Sequence, residues 1–75
     1  MVPDIRVGKI GVVLAGENIG WQIRVEDDSV NTGGYLVLTS RDFTDPHAEA
    51  FDDWVEDEGA LQEYFRESGW VVKWH

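Results

Sequence analysis

The sequence contains no cysteine, few basic residues and no long apolar run. Without Cys in 75 residues, the chain has no disulfide, no thiolate metal site and no cysteine nucleophile. Only six Lys and Arg residues oppose 15 Asp and Glu, which gives a net charge of −9, and a chain this acidic repels nucleic-acid phosphates. No stretch approaches the roughly 18 apolar residues of a membrane span, and residues 1–10 do not read as a basic leader followed by an apolar run. We therefore expect a cytoplasmic protein that binds neither nucleic acid directly nor a membrane.

Aromatic residues, in contrast, are abundant for so short a chain. Four Trp, two Tyr and three Phe offer large areas for burial. A domain of this size needs them, because it buries only roughly 60% of the surface that its unfolded chain exposes. We expect residues 1–75 to form a single domain with most of these aromatic side chains in its core.

Strand patterns dominate the first half of the chain. Residues 5–14 are rich in β-branched side chains, and Gly8 and Gly11 within them indicate a bend, so one bent strand or two short ones are expected. Residues 21–25 alternate apolar and polar side chains, and residues 35–39 form another strand after a turn rich in Asn and Gly. Since the connections are short, the simplest topology is an antiparallel meander.

The second half begins with a polar loop and continues with a helix. Residues 40–50 contain Pro46 and few apolar side chains, which predicts a loop. Phe51, Trp54 and Val55 then return apolar groups to the core.

Helical spacing follows this loop. Leu61, Tyr64 and Phe65 lie at i, i+3 and i+4 and share one helix face. Asp57 is the expected N-cap, and Gly69 is the expected C-terminal stop.

The chain ends on a last strand, in which Trp70, Val72 and Trp74 line one side. The predicted order is β-β-β-α-β, an α+β fold in which one helix packs on one face of an antiparallel sheet of about four strands.

Motifs for nucleotide or calcium binding are incomplete. The sequence before Glu17 has the two glycines of a phosphate loop, but Glu17 stands where that loop requires Lys. A calcium loop starting at Asp27 has Thr32 in place of the required Gly and Leu38 in place of the bidentate Glu. A polar turn is the simpler interpretation, although a weak, nonspecific cation site at Asp27 and Asp28 stays open.

Catalytic patterns are missing as well. His47 and His75 do not have the H-E-x-x-H spacing, and no Ser lies in a G-x-S-x-G turn. Paired carboxylates need a cleft between them, which a domain of this size seldom encloses. We therefore expect no enzyme, no cofactor and no metal, with a ligand or titrating role for His47 beside Glu49 as the remaining alternative.

Negative charge is concentrated in residues 42–67. The local sum there is −9, equal to that of the whole chain, because ten acids face one base, Arg66. The acids are Asp42, Asp45, Glu49, Asp52, Asp53, Glu56, Asp57, Glu58, Glu63 and Glu67. Two interpretations stay open, a solvated face that keeps the protein soluble and a docking surface for a basic protein. The segregation speaks for docking, because scattered acids would serve solubility equally well.

Five segments resemble the small acidic immunity proteins of bacterial polymorphic-toxin systems. They are residues 20–28, 32–40, 51–56, 61–65 and 70–74. The resemblance rests on small size, acidity, α+β order and strands that contain Trp. It implies a protein that binds a cognate toxin and blocks its active site or an exosite, frequently by offering acids to a basic nuclease surface. No residue-level motif carries over, so the candidate sites come from the charge distribution alone.

The predicted partner-binding residues lie in the loop and the helix start, with Trp54 as aromatic anchor. They are Asp45, Glu49, Asp52, Asp53, Trp54, Glu56 and Asp57. The sequence thus predicts a protein-binding module, an immunity-type inhibitor that docks an acidic surface on a basic protein such as a toxin. The alternative is a structural or assembly module without catalytic activity that forms a homo-oligomer, through the outer strand that ends at Trp74.

Overall fold

A computed structural model describes residues 4–75, and residues 1–3 lie outside the described part. The elements in chain order are β1 (Ile10–Ala15), β2 (Gln22–Asp28), β3 (Gly34–Ser40), β4 (Ala50–Val55), α1 (Glu58–Ser68) and β5 (Val71–Trp74). The five strands form one antiparallel sheet in the order β4-β3-β2-β1-β5. The single helix packs on one face of this sheet, which confirms the predicted α+β class. No helix in the described residues is long and apolar enough to cross a membrane.

The structure has a fifth strand, β4, where the sequence predicts about four. Phe, Trp and Val favour strands, but the two Asp residues between them are depleted there, so this segment was not predicted as a strand. Pairing with β3 along the full length of β4, from Ser40↔Ala50 to Tyr35↔Val55, nevertheless holds the segment extended. Of the apolar side chains expected to return to the core here, only Val55 is buried, whereas Phe51 and Trp54 are 58% and 48% exposed.

The first strand is shorter than predicted. It begins at Ile10, because Gly8 adopts a φ of 82° in a turn, and its N–H donates to the Val25 carbonyl oxygen at 2.7 Å. Ile23 and Val25 of the next strand are fully buried, as their alternation predicts. Trp21, expected in the core, is half-buried, and its ring stacks on the exposed ring of Phe51 in β4.

The core lies between the helix and one face of the sheet. Leu61 and Phe65 of α1 are buried as predicted, and Tyr64 packs beside them. Phe65 contacts the Trp70 ring edge-on at 5.0 Å and lies 6.3 Å from the Trp74 ring. The aromatic stripe after the helix is therefore core, as the sequence indicates.

Both ends of the helix follow the predicted capping. The Asp57 carboxylate accepts a hydrogen bond from the Ala60 N–H at 2.8 Å. Gly69 ends the helix in the left-handed region at φ 68°, and its N–H donates to the Arg66 carbonyl oxygen. A residue with a Cβ is disfavoured in this conformation, so Gly is the natural stop.

The second face of the sheet points away from the helix, and we call it the open face. Strand alternation and register place on it Ile10, Val12, Arg24, Glu26, Leu36, Leu38, Asp52, Trp54 and Lys73. Arg24 and Glu26 form an ion pair in the middle of this face.

Candidate protein-binding surface

β4 is the outermost strand on one side of the sheet, and among the described residues it pairs only with β3. The ladder continues just before it, where the Arg41 N–H donates to the Glu49 carbonyl oxygen at 3.1 Å. Hydrogen-bonded and non-hydrogen-bonded pairs alternate along an antiparallel ladder. Every second residue from Glu49 on therefore turns its backbone toward β3, and the N–H and C=O groups of Ala50, Asp52 and Trp54 point outward. We call this row of outward backbone groups the β4 edge.

Each side of the β4 edge carries one aromatic ring and one carboxylate. Asp52 and Trp54 extend from the open face, while Phe51 and Asp53 extend from the face that carries the helix. Phe51 stacks on Trp21 with 5.7 Å between ring centroids and an interplanar angle of 13°. The structure thus separates the adjacent residues Asp52 and Asp53, which the sequence analysis placed in one surface, onto opposite faces of the sheet.

Trp54 is held in place although its ring is half-exposed. Its indole N–H donates to the Thr32 hydroxyl at 2.8 Å, and that hydroxyl donates in turn to the Asp28 carboxylate at 2.9 Å. The indole also lies directly over Gly34, where an added Cβ would come within 2.6 Å of Trp54 Nε1. Only Gly leaves room for the ring at this point, so contacts within the protein fix the position of the exposed ring.

Asp53 is engaged by the helix. Its carboxylate accepts a hydrogen bond from the Tyr64 hydroxyl at 2.9 Å. Burial raises the pKa of Tyr64 to about 12, and the hydrogen bond and negative charge of Asp53 act in the same direction. The phenol therefore keeps its proton at neutral pH and holds Asp53 on the helix side of β4.

Three other predicted acids have local structural roles. Asp45 accepts a hydrogen bond from the His47 N–H at 2.9 Å, and Glu49 lies 3.7 Å from the Arg41 guanidinium. Asp57 caps the helix. All three residues stay exposed, so their charges still contribute to the negative field around the protein.

Asp52 and Glu56 differ from those acids. Within residues 4–75, neither side chain makes a hydrogen bond or an ion pair, and both are exposed. Their charges are therefore the ones that a partner can neutralise without disrupting a contact of this chain.

The predicted residues together follow the β4 edge from end to end. Residues 45–58 contain seven acids and no Lys or Arg, and β4 itself spans roughly 17 Å at about 3.3 Å per residue. The acids are Asp45, Glu49, Asp52, Asp53, Glu56, Asp57 and Glu58. Acidic side chains gathered along one strand create a negative field that attracts basic proteins.

Phe51 is an exposed member of this surface, although it was predicted to lie in the core, and the roles of Thr32 and Gly34 in holding Trp54 were not predicted. A signal for the first was present, because AFDDWV places one aromatic residue on each side of a strand if it is read with period two. Nothing in the local sequence indicated the contacts of Thr32 and Gly34, which depend on the pairing of β3 with β4.

The turn considered as a weak cation site is held by its own hydrogen bonds. The Asp27 carboxylate accepts a hydrogen bond from the Ser29 N–H, and hydrogen bonding by Ser29 lowers the pKa of Asp27 below its usual value. The Asp28 carboxylate accepts from Asn31 and Thr32. In the described part of the chain, no three His, Cys, Asp or Glu side chains are grouped so that they could hold a metal ion.

Comparison of the chain with protein-family models, with curated proteins and with solved structures finds no match.

Proposed function

We propose that the protein is a stoichiometric protein-binding module, an immunity-type inhibitor that docks a basic protein such as a toxin through the β4 edge and its acids. One observation supports this above all. Seven acids flank an edge strand that pairs on one side only among the described residues. Acids serving only solubility would have no reason to gather along one strand.

The surface combines two contributions to binding. A negative field accelerates the approach of a basic protein and selects against acidic ones. Exposed aromatic rings then contribute affinity, because interfaces concentrate their energy in a few desolvated Trp, Tyr or Arg contacts. Trp54 and Phe51 supply such rings on the two sides of β4, with Trp54 already fixed by Thr32.

Self-association through the strand that ends at Trp74 has less support. The Trp74 ring is half-buried and stacks on Phe65, and its indole N–H donates to the Asp4 carbonyl oxygen at 2.9 Å. Pairing of two copies through β4 would oppose like charges.

The test is titration calorimetry of this chain against the purified products of the neighbouring genes, with any active site among them inactivated, and the proposal requires that a basic one binds. We expect one-to-one binding that weakens as salt rises, since the Debye length shortens from about 10 Å at 0.1 M to about 3 Å at 1 M. The double variant Asp52→Lys with Glu56→Lys should weaken binding by at least about tenfold.

The matched control is Glu17→Lys with Glu67→Lys. It changes the net charge equally at exposed positions outside residues 45–58, near the helix C-terminus. This control should bind nearly as well as the natural chain. Equal weakening by both double variants would mean that net charge alone acts, and unchanged binding by the first would remove the β4 surface from the interface.

A further inference from the structure

The β4 edge presents hydrogen-bonding groups that an extended chain can use. The N–H and C=O groups of Ala50, Asp52 and Trp54 point away from the sheet, as the Arg41–Glu49 hydrogen bond and the alternation of the ladder establish. An exposed row of this kind is a template on which a further strand can form. The backbone there is already extended by its pairing with β3, so little ordering of this chain is needed.

The side chains around the edge select a basic strand. A residue added opposite Asp52 would lie about 5 Å away on the open face, and its neighbour two positions along would lie beside the Trp54 ring. Lys or Arg suits both places, because its charge meets the carboxylate and its stem or guanidinium covers the indole. On the other face Asp53 favours a base, and Phe51 favours an apolar side chain.

A second copy of this chain fits the same edge poorly. Two β4 strands side by side would bring the acids of both copies together, and like charges opposite each other destabilise strand pairing. The other edge strand, β5, has only one base, Lys73, among residues 71–74, so it offers the acids of β4 little opposite charge. Charge complementarity therefore points to a different molecule, one whose extended segment is rich in Lys and Arg.

We infer that the partner adds an extended basic segment to β4 as a sixth strand of the sheet. The inference rests on the proposed function for the basic character of the partner, and it adds the mode of binding. Backbone hydrogen bonds to Ala50, Asp52 and Trp54 hold the segment, and its Lys and Arg side chains meet Asp52 and Asp53.

The probe is a capped peptide of about nine Lys and Val residues, long enough to span β4 at about 3.3 Å per residue. Its order places Lys beside Asp52 and Trp54 on the open face and beside Asp53 on the other face, with Val beside Phe51. Hydrogen exchange, read residue by residue by NMR, should show at least about tenfold slower exchange at the N–H groups of Ala50, Asp52 and Trp54 when the peptide is bound. The control is the same peptide methylated on every backbone nitrogen. It keeps the side chains and the charge but has no N–H to donate, and it should bind at least about tenfold more weakly.

A pair of variants tests the same inference from the side of this chain. Asp52→Pro and Asp52→Ala both remove the charge, but only Pro removes the outward N–H, and edge strands tolerate Pro where the N–H faces solvent. Asp52→Pro should bind the peptide about tenfold more weakly than Asp52→Ala. If Asp52→Pro fails to fold, the two peptides still decide the question.

Three results would overturn strand addition. The first is equal binding of the two peptides, and the second is no binding of either peptide at about 1 mM. The third is slow exchange at the three N–H groups without peptide that depends on protein concentration, because this would place a second copy of the chain on the edge. Equal binding of both peptides that is lost in the variant with Asp52→Lys and Glu56→Lys would leave the acidic docking surface standing. Binding that this variant does not weaken would count against the proposed function itself.

Discussion

The two edges of the sheet use tryptophan in opposite ways. At β5, Trp70 is 9% exposed and Trp74 half-buried, and both rings contact Phe65 of the helix. At β4, Trp54 is 48% exposed and points away from the helix. Each of the three indole N–H groups has an acceptor, at Glu17, Asp4 and Thr32 respectively. A hydrogen-bonded indole N–H is therefore no sign of a structural role. The two edges differ in how much of each Trp ring the rest of the protein covers.

The charged side chains also differ between the two edges of the sheet. Residues 45–58 along β4 contain only acids among their charged side chains. Three of the six basic residues, Arg6, Lys9 and Lys73, lie on β5 or in the segment before β1. The sheet thus has a negative edge and a less negative one, and the field of the negative edge attracts basic proteins toward β4. The β5 side carries the aromatic contacts that stabilise the fold, and the β4 side is where the proposed docking is expected.

The largest expected effect comes from truncating one Trp on each side. Trp70→Ala should lower the free energy of unfolding by about 3–5 kcal/mol, because a buried ring is lost from contact with Phe65 and Tyr64. Small domains have few such units to lose, so this variant should be largely unfolded. Trp54→Ala should cost only about 1–2 kcal/mol, since half of its ring already faces water. Urea unfolding followed by circular dichroism measures both.

Binding tests the β4 side alone, because only Trp54→Ala is expected to stay folded. If the ring is an anchor, Trp54→Ala should weaken the binding free energy for the basic partner by about 2 kcal/mol or more. A Trp54→Ala variant that unfolds as readily as Trp70→Ala would show that the ring is structural, and the contrast between the two edges would fail.

A smaller effect separates charge from structure at the end of the β4 surface. Asp57→Ala removes both the N-cap and a charge, and it should lower the free energy of unfolding by about 1 kcal/mol. Asp57→Asn removes the charge but keeps a capping oxygen, so its stability should be nearly unchanged. Both variants should weaken binding of the basic partner to a similar degree. If Asp57→Asn binds as well as the natural chain, Asp57 acts only as a cap and leaves the docking set.

The sequence predicts the parts of the fold that local chemistry determines. The helix, with Asp57 and Gly69 at its ends and Leu61 and Phe65 inside, depends on spacing and capping that adjacent residues specify. The strand β4 could not be predicted in the same way. Its two central Asp residues oppose a strand by propensity, and only the long-range pairing with β3 overcomes that preference.

The candidate site shows the same limit. Charge segregation in the sequence located the acids, but it could not tell that they follow a sheet edge, because the edge is a property of the strand order. It also placed Asp52 and Asp53 together, whereas period-two alternation separates them once the segment is a strand. Whether these acids bind a partner stays a prediction.

The smallest expected effect concerns the contact that ties Asp53 to the helix behind the β4 edge. The pKa of Tyr64 rises from its usual value near 10 to about 12 through burial first and then through the hydrogen bond and charge of Asp53. The folded state thus keeps a proton that the unfolded chain releases near pH 10. The resulting stabilisation is complete below about pH 10 and is lost as pH rises toward about 12. Tyr64→Phe should lose less stability over this range.

Asp53→Asn isolates the contribution of the edge residue. Its neutral amide oxygen can still accept from the phenol, but the negative charge is gone, so the pKa of Tyr64 should fall while burial keeps it above about 10. Tyrosinate absorbance during an alkaline titration, with Tyr64→Phe to identify the signal, measures this shift. An unchanged midpoint in Asp53→Asn would mean that burial alone sets the pKa and that Asp53 is only loosely held. In that case Asp53 is as available to a partner as Asp52, and the β4 edge presents equal charge on both faces.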